Sequence, residues 1–403
     1  MDHIVRSAIL RAQAEMKAKS VVVPQKVVAA KPKVAPIEAK KQEKQEKGKR
    51  KSPTHSDNDL LEMLEHNKAR IMVIGCGGGG CNTLERIAEV GIEGAITLAL
   101  NTDAQDLLTT NSNKKILIGR KLTRGLGAGS DPQIGESAAR ESGEEITEVL
   151  KGTDLVFITC GLGGGTGTGS APVAAEIAKA SKALTVAVVT LPFTVEGKKR
   201  MENAMYGLER LQEHTDTIIV IPNDKILEIA PDLPINAAFK VADEVLTNAV
   251  KGITEMVTKP GLINLDFADL RTILSRGGAA MIGLGESTRG ESGEARALEA
   301  VENALTSPLL DVDISGANRA LVNVSGGTDM TLREAELVVE TVSSKIHSSS
   351  HIIWGAMVDE TMPKNHIQAM VVIAGGRFPY LEGSKGAKKA ANGEEIDLGI
   401  EFT

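Results

Sequence analysis

Aromatic side chains are scarce in this 403-residue chain, in which Phe, Tyr and Trp together make up 2% of the residues. The hydrophobic cores must therefore be built from aliphatic side chains. The scarcity also argues against binding of single-stranded nucleic acid, because that recognition commonly stacks bases on aromatic rings. We expect no nucleic-acid partner.

Long apolar runs and cysteines are scarce as well. No run of about 18 apolar residues occurs, so no transmembrane helix is predicted, and the N-terminus lacks an apolar signal-peptide core. These absences predict a cytoplasmic protein. Cys76, Cys81 and Cys160 do not have the spacing of a zinc site, and no metal-ligating residue is assigned. We interpret the thiols as small side chains in crowded turns, with a redox role as the alternative.

Charge is distributed unevenly, although the formal net charge is only -7. Residues 1–57 hold 14 basic and 6 acidic side chains, which leaves a net charge of -15 on residues 58–403. A basic tail on an acidic body is typical of an interaction arm. We expect such an arm to make a weak contact with a membrane or with a neighbouring copy of the chain.

The first 57 residues are predicted to be a disordered basic extension. Residues 21–57 are rich in Lys, Ala and Pro and show no strand or helix period. Within residues 1–20, Ile4, Ile9 and Met16 fall near one helical face, which indicates a short amphipathic helix. Such a helix could lie on an anionic membrane or dock in a groove, or it could remain frayed.

From residue 58 onward, apolar runs alternate with helical patterns. Buried strands that alternate with helices predict an α/β fold with a doubly wound, mostly parallel sheet. A long central helix is predicted over Ile235–Thr258, because Pro260 and Gly261 just beyond it are a stop signal. We therefore expect a nucleotide-binding domain, the central helix, a second, smaller α/β domain and a flexible tail, over residues 58–234, 235–258, 259–380 and 381–403 respectively.

The first glycine-rich segment, Gly75 to Gly80, follows an apolar run and precedes a helical pattern. Glycines let a backbone approach a pyrophosphate, and the helix N-terminus behind them offers unpaired N–H groups. A Rossmann NAD site would use the same pattern with an acidic residue at the end of the second strand. That strand ends at Asn101-Thr102-Asp103, so an NAD-dependent oxidoreductase remains the alternative.

A second glycine-rich segment, Gly161 to Ser170, also follows a strand and precedes a helix. A dinucleotide enzyme does not need this second loop. Its backbone amides and the hydroxyls of Thr166 and Thr168 predict a nest for a triphosphate. No Lys-Ser or Lys-Thr pair follows the glycines, which excludes a Walker A loop, so Mg²⁺ and backbone dipoles must neutralise the phosphate charge.

The run Gly163 to Gly169 matches the signature of the tubulin/FtsZ family, which the chain resembles from about Lys68 to Gly375. The archaeal branch of this family is the most similar, as judged from sequence segments such as Ile353-Trp354-Gly355-Ala356. The resemblance implies a tubulin-like GTPase that polymerises head to tail into the filaments of the cell-division ring. A cytoskeletal relative that acts outside division is the alternative. Further matching segments are 101–103, 125–129, 193–200, 221–224 and 264–269.

The resemblance also implies GTP or GDP and Mg²⁺ as cofactors, together with a set of nucleotide-binding positions. Backbone groups of the glycine-rich segments would contact phosphates, Glu196 and Arg200 the ribose, and Phe239 the base. Asn82, Asn223 and Asp243 would read the base edge. The complete set is Gly78, Gly79, Asn82, Asn101, Ala128, Gly129, Gly164, Gly165, Thr166, Gly167, Glu196, Arg200, Asn223, Phe239 and Asp243.

Several of these side chains have simpler interpretations. Glu196 and Arg200 are four residues apart, which also suits a surface ion pair on a helix. Phe239 could be a core residue and Asp243 could be solvated. For Asp243, chemistry favours recognition, because a carboxylate accepts two hydrogen bonds from guanine and adenine offers no matching pair.

The catalytic positions implied by the resemblance are Asn264, Asp266 and Asp269, although Asp266 could simply cap the helix that follows it. The central helix separates them from the base contacts by roughly 25–30 Å at 1.5 Å per residue. They could therefore act only on the nucleotide of a neighbouring subunit, and such a heterologous contact builds an open filament. A homopolymer at the mid-cell ring beneath the membrane, with a membrane-anchoring division protein as partner, is the expected assembly.

Overall fold

The computed structural model describes residues 69–229, 234–259, 261–263, 265–275, 277–287, 293–310, 314–360 and 362–375. The predicted N-terminal extension, the predicted flexible tail and Asn264 lie outside the described residues. Among the helices in the described part of the chain, none is long and apolar enough to cross a membrane.

The strands of the described residues form one ten-stranded sheet, in the order β3-β2-β1-β4-β5-β6-β7-β10-β8-β9. All neighbouring strands are parallel except β10, which runs antiparallel to β7 and β8. The predicted mostly parallel α/β sheet is therefore confirmed. The strands are β1 Ile71–Cys76, β2 Ala95–Asn101, β3 Lys114–Leu117, β4 Leu155–Gly161, β5 Leu184–Leu191, β6 Thr217–Pro222, β7 Gly278–Glu286, β8 Arg319–Gly326, β9 His351–Val358 and β10 Ile367–Ala374.

Helices connect most of these strands and cover both faces of the sheet. They are α1 Gly77–Val90, α2 Ala104–Thr109, α3 Pro132–Glu141, α4 Gly143–Leu150, α5 Thr166–Ala180, α6 Lys198–His214, α7 Asn223–Ile229, α8 Ile235–Thr258, α9 Phe267–Leu274, α10 Glu294–Leu305 and α11 Leu332–Lys345. Short 3₁₀ turns lie at Thr194–Glu196 and Pro308–Leu310. The predicted central helix has the bounds expected from the sequence.

Two aliphatic cores lie on opposite faces of the sheet. In β4, Val156 and Ile158 point into the core shared with α5, whereas Leu155 and Phe157 point into the core shared with α8. A strand buried on both faces reads as a continuous apolar run, which explains why β4 was recognisable in the sequence.

Helix α8 crosses the sheet from one edge to the other. Near its start, Phe239 contacts Phe193, which follows the carboxyl end of β5. At its end, Thr258 Oγ1 donates a hydrogen bond to the carbonyl oxygen of Glu93, just before the amino end of β2. The start and end of α8 therefore lie at opposite edges of the parallel sheet.

Some local structure differs from the expectation. The sequence pattern predicts one helix over residues 133–150, whereas the structure has two, α3 and α4, because the backbone leaves the helical conformation at Ser142 before Gly143. The elements β3, α2 and α7 were not predicted. Strand β3 has four residues, of which only Ile116 is buried, so it lacks a recognisable apolar run.

Candidate active site

The two glycine-rich segments meet at the carboxyl ends of neighbouring strands β1 and β4. Gly77 has φ +67°, and a Cβ added there would lie 2.6 Å from the backbone nitrogen of Gly167. A Cβ on Gly79 would lie 3.0 Å from the backbone nitrogen of Gly161. The close approach of the two backbones therefore requires glycine, and it brings the N-termini of α1 and α5 together. Unpaired N–H groups at helix N-termini favour an anionic ligand.

The second loop is held in shape by one of its own threonines. The N–H of Gly163, which has φ +108°, donates a 2.8 Å hydrogen bond to Thr168 Oγ1, and the Thr168 side chain is buried. Thr168 therefore shapes the loop from inside. The Oγ1 atom of Thr166 lies 2.6 Å from that of Thr102. Beside Gly164 the space is open, since an added Cβ meets nothing within 4 Å.

A third segment, residues 127–131, packs against the second loop. A Cβ on Gly165 would lie 2.8 Å from the backbone nitrogen of Asp131 and 3.0 Å from the Cβ of Ala128. Gly129, in contrast, faces open space. Residues 77–80, 127–131 and 161–167 are called the glycine cradle below, and this cradle contains every predicted phosphate-binding position.

Two predicted asparagines lie beside the cradle in different surroundings. Asn101 is buried, and its side chain donates a 2.6 Å hydrogen bond to Asp106 and accepts one from the N–H of Asp103. These contacts suit a residue that supports the cradle from within the protein. Asn82 is exposed on α1, where its amide is accessible to a ligand.

The predicted ribose and base contacts lie at the end of β5 and the start of α8. Glu196 accepts a 2.9 Å hydrogen bond from the N–H of Phe193 and forms a 2.9 Å ion pair with Arg200. The ion pair that was given as the simpler interpretation of these two residues is therefore present in the structure. Phe239 meets Phe193 edge to face, with ring centroids 5.0 Å apart, and 38% of Phe239 is exposed. The exposed part of its ring is available for stacking.

Asn223 and Asp243 are the two polar groups near this ring whose surroundings suit recognition. Asn223 is buried, and its Oδ1 has no hydrogen-bond partner in the described part of the chain. Burial raises the pKa of Asp243 to about 7, while the nearby Arg86 acts in the opposite direction. Burial of an unpaired amide oxygen or of a carboxyl is costly, and a ligand with matching donors would satisfy both groups.

Asp266 and Asp269 lie at the start of α9, and Asp266 follows the end of α8 by eight residues. Asp266 caps α9 by accepting a 2.8 Å hydrogen bond from the N–H of Asp269, and both residues are exposed. The far end of α9 is fixed at the amino edge of the sheet, where Thr217 at the start of β6 donates to the carbonyl oxygen of Leu274. The third predicted catalytic residue, Asn264, lies outside the described residues.

Two residues that support the site were not singled out from the sequence. The Asp224 carboxylate accepts hydrogen bonds from both the N–H and the Oγ1 of Thr194, at 2.9 and 2.6 Å, and so fixes the turn that carries Glu196. Its position directly after Asn223 in a matching segment was a usable signal. Asn203 on α6 contacts two cradle segments, and nothing in its sequence surroundings pointed to it.

The cysteines lie beneath the cradle rather than in it. All three are buried, and burial raises the pKa of Cys76 to about 12 and that of Cys81 to about 11. Burial also raises the pKa of Cys160 well above its usual value. Thiols that stay protonated are poor nucleophiles, so the surroundings favour the packing interpretation over the redox alternative.

The fold and the cradle together define a nucleotide-binding protein with two glycine loops at the carboxyl edge of a parallel sheet. Residues 70–231 match the Tubulin/FtsZ family, GTPase domain, and residues 278–377 match the FtsZ family, C-terminal domain. The chain therefore belongs to the tubulin/FtsZ family of GTPases, and its cofactor is a guanine nucleotide.

Similar proteins support the same assignment. The chain is 60% identical to the cell division protein FtsZ 1 of Thermococcus kodakarensis over 80% of this chain and 85% of that protein. It is 61% identical to the cell division protein FtsZ 1 of Methanocaldococcus jannaschii over 79% of this chain and 86% of that protein. A solved FtsZ dimer from M. jannaschii superposes with a TM-score of 0.75 at 61% identity, covering 79% of this chain and 92% of that one.

A more distant solved structure bears on the choice between an FtsZ protein and another cytoskeletal relative of the same family. CetZ2 from Haloferax volcanii superposes with a TM-score of 0.67 over 80% of this chain and 99% of that one, at 21% identity, so it shares the fold alone. The relatives near 60% identity are FtsZ proteins, which favours the FtsZ group over the alternative cytoskeletal relative. The NAD-dependent oxidoreductase alternative is wrong.

Proposed function

We propose that this protein binds GTP in the glycine cradle and hydrolyses it within head-to-tail filaments that act in cell division. The cradle amides would bind the phosphates, and the carboxylate of Glu196, together with Arg200, would bind the ribose. The exposed ring of Phe239 would stack on guanine. Asn82, Asn223 and Asp243 would read the base edge.

The observation that carries this proposal is the separation of the cradle from the acidic pair on α9. The cradle lies at the carboxyl edge of the sheet, whereas the end of α8, which precedes the acidic pair in the chain, and the end of α9, which follows it, are both held at the amino edge. Strands of six to eight residues separate the two edges by about 20–25 Å at 3.3 Å per residue. Asp266 and Asp269 would therefore meet the nucleotide of the next subunit along a filament.

The chemistry would be completed at that contact between subunits. Asp269 and Asp266 would orient and polarise the attacking water, with Asn264 as the third proposed catalytic residue, while cradle N–H groups stabilise charge on the transferred phosphoryl group. Mg²⁺ bound together with the nucleotide would neutralise part of the phosphate charge.

The names of the similar proteins support a role in cell division. A cytoplasmic filament at mid-cell beneath the membrane would need a membrane-anchoring partner. The basic residues 1–57 would then supply a weak, salt-sensitive contact with anionic lipid or with the acidic body of a neighbouring filament.

Hydrolysis is expected to depend on assembly and on the base. Phosphate release per subunit should rise with protein concentration above a threshold, because the acidic pair of one subunit acts on the nucleotide of another. GTP should be turned over in preference to ATP, because adenine cannot satisfy Asp243. The measurement is phosphate release with GTP, GDP or ATP plus Mg²⁺, with pelleting of the same samples. Specific activity that does not change with concentration would place the whole site in one chain and contradict the proposal.

Affinity for GTP is expected to fall as the pH is lowered through 7. Burial raises the pKa of Asp243 to about 7, so the carboxyl becomes protonated below that pH and loses the form that accepts hydrogen bonds from guanine. Linkage predicts about a tenfold weaker affinity at pH 6 than at pH 8. The stability of the nucleotide-free protein should change in the opposite direction with pH. The contribution of the neutral Asp243 carboxyl to the free energy of unfolding is present at low pH and is lost as the pH rises through about 7.

Equilibrium titration with a fluorescent GTP analogue at pH 6, 7 and 8 measures this dependence. The Asp243→Asn variant is the matched control, because it keeps the shape of the side chain and cannot titrate. It should show only the pH dependence that comes from the phosphates. An equal slope for the variant and the unaltered protein would contradict the assignment of Asp243 to the base.

A further inference from the structure

Asn203 on α6 bridges two segments of the glycine cradle. Its Nδ2 lies 3.2 Å from the carbonyl oxygen of Ser130 and 3.4 Å from that of Gly163. Both partners are carbonyl oxygens, which only accept hydrogen bonds, so the NH₂ group must be the one that faces them. One side-chain amide thus joins the 127–131 segment to the second glycine loop.

The contact with Gly163 controls the direction of the next N–H group. In a trans peptide the C=O of one residue and the N–H of the following residue point in opposite directions. The Gly163 carbonyl is held by Asn203, and the Gly163 N–H is held by Thr168. With both sides of Gly163 fixed, the Gly164 N–H points away from Asn203, beside the open space at Gly164.

The contact with Ser130 supports a strained turn. Gly129 has φ +59° and Ser130 has φ +61°, and the N–H of Asp131 donates a 3.0 Å hydrogen bond to the carbonyl oxygen of Ala128. Two successive residues with positive φ favour glycine, and the left-handed region is unfavourable for a serine. The hydrogen bond from Asn203 to the Ser130 carbonyl stabilises that turn, which carries the predicted phosphate contacts Ala128 and Gly129.

Helix α6, which carries Asn203, is fixed relative to the 127–131 segment by an ion pair. Arg210, seven residues after Asn203, forms a bidentate pair with Glu136 of α3, with nitrogen–oxygen distances of 2.6 and 2.8 Å. Helix α3 follows directly after the 127–131 segment. The Asn203 amide therefore acts from a support that is fixed relative to the cradle.

We infer that Asn203 is a positioning residue that orients the cradle amides toward the nucleotide phosphates by holding the carbonyls of Ser130 and Gly163. The inference rests on the proposed function and assigns to it a residue outside the family motifs. In this role Asn203 would act without contacting the nucleotide itself. Its effect should reach GTP through the Gly164 N–H and through the turn at Gly129.

The test compares four variants of the full chain in GTP-analogue binding and in thermal unfolding without nucleotide. Asn203→Asp should weaken GTP binding most, by about tenfold, because a carboxylate repels the two carbonyl oxygens, and Asn203→Ala by about fivefold. Asn203→Gln should stay within about threefold of the unaltered protein, because it keeps the amide. A neighbouring cavity of about 500 Å³, which Asn203 and Ser130 both line, has room for the extra methylene.

Glu202→Ala is the matched control on the same helix. Glu202 is exposed and forms a 3.8 Å ion pair with Lys199, so GTP binding should not change in Glu202→Ala. Rescue by Asn203→Gln with unaltered unfolding temperatures supports positioning. Unchanged GTP binding in Asn203→Asp and Asn203→Ala overturns the inference but not the proposed function. The same holds if GTP binding is lost, is not rescued in Asn203→Gln, and falls together with the unfolding temperature. If the unaltered protein does not bind GTP, the proposed function fails and the inference with it.

Discussion

Gly165→Trp is expected to abolish GTP binding in practical terms, weakening it on the order of 100-fold or more. Even the Cβ would lie 2.8 Å from the Asp131 backbone nitrogen and 3.0 Å from the Ala128 Cβ. The indole must therefore displace the 127–131 segment or fill the cradle. Overpacking costs about 1–3 kcal/mol, and each lost hydrogen bond to a charged phosphate costs about 1.5–3 kcal/mol. Titration with a fluorescent GTP analogue measures the loss.

The same substitution at Gly143 separates local blockage from general damage. A Cβ at Gly143, at the start of α4, meets nothing within 4 Å, and the residue borders an open groove of about 560 Å³. Gly143→Trp should therefore bind GTP like the unaltered protein. Tight GTP binding by Gly165→Trp, or equal losses in the two variants, would refute the assignment of the second loop to the phosphates.

The glycine loops could be predicted from the sequence because their signal is local. Each loop is a contiguous run of glycines between a buried strand and a helix, and parallel strands place such runs at one edge of a sheet. The structure adds the backbone contact between Gly77 and Gly167, which depends on strands β1 and β4 being neighbours. That pairing joins residues more than 80 positions apart and leaves no local trace.

The supporting side chains show where sequence reasoning stops. Asn203 has no special neighbours in sequence, and its role depends on the packing of α6 against two loops. Asp266 illustrates a different difficulty, since its capping of α9 and its proposed catalytic role use the same carboxylate. A sequence pattern could suggest either role, and the two become separable only when the place of α9 in the fold is known.

Asp269→Ala is expected to retain GTP binding and lose hydrolysis by on the order of 10²–10⁴-fold, the usual contribution of a residue that activates water. The fold should tolerate the change, because the Asp269 side chain is exposed and its backbone N–H, which bonds to Asp266, remains. Asp266→Asn is the companion variant, since asparagine preserves the helix cap and removes the charge. Filaments of Asp269→Ala should persist after GTP addition, as measured by pelleting and phosphate release.

Mixing the two deficient variants tests where the site is completed. Gly165→Trp keeps its acidic pair and lacks a usable cradle, whereas Asp269→Ala keeps its cradle and lacks the acidic residue. In a head-to-tail contact the first subunit would place Asp269 beside the nucleotide of the second, so a mixture should recover turnover that neither variant shows alone. Recovery requires the nucleotide-free subunit to enter a filament, which copelleting of a labelled Gly165→Trp protein measures. Copelleting without any recovery of phosphate release would contradict a site shared between subunits.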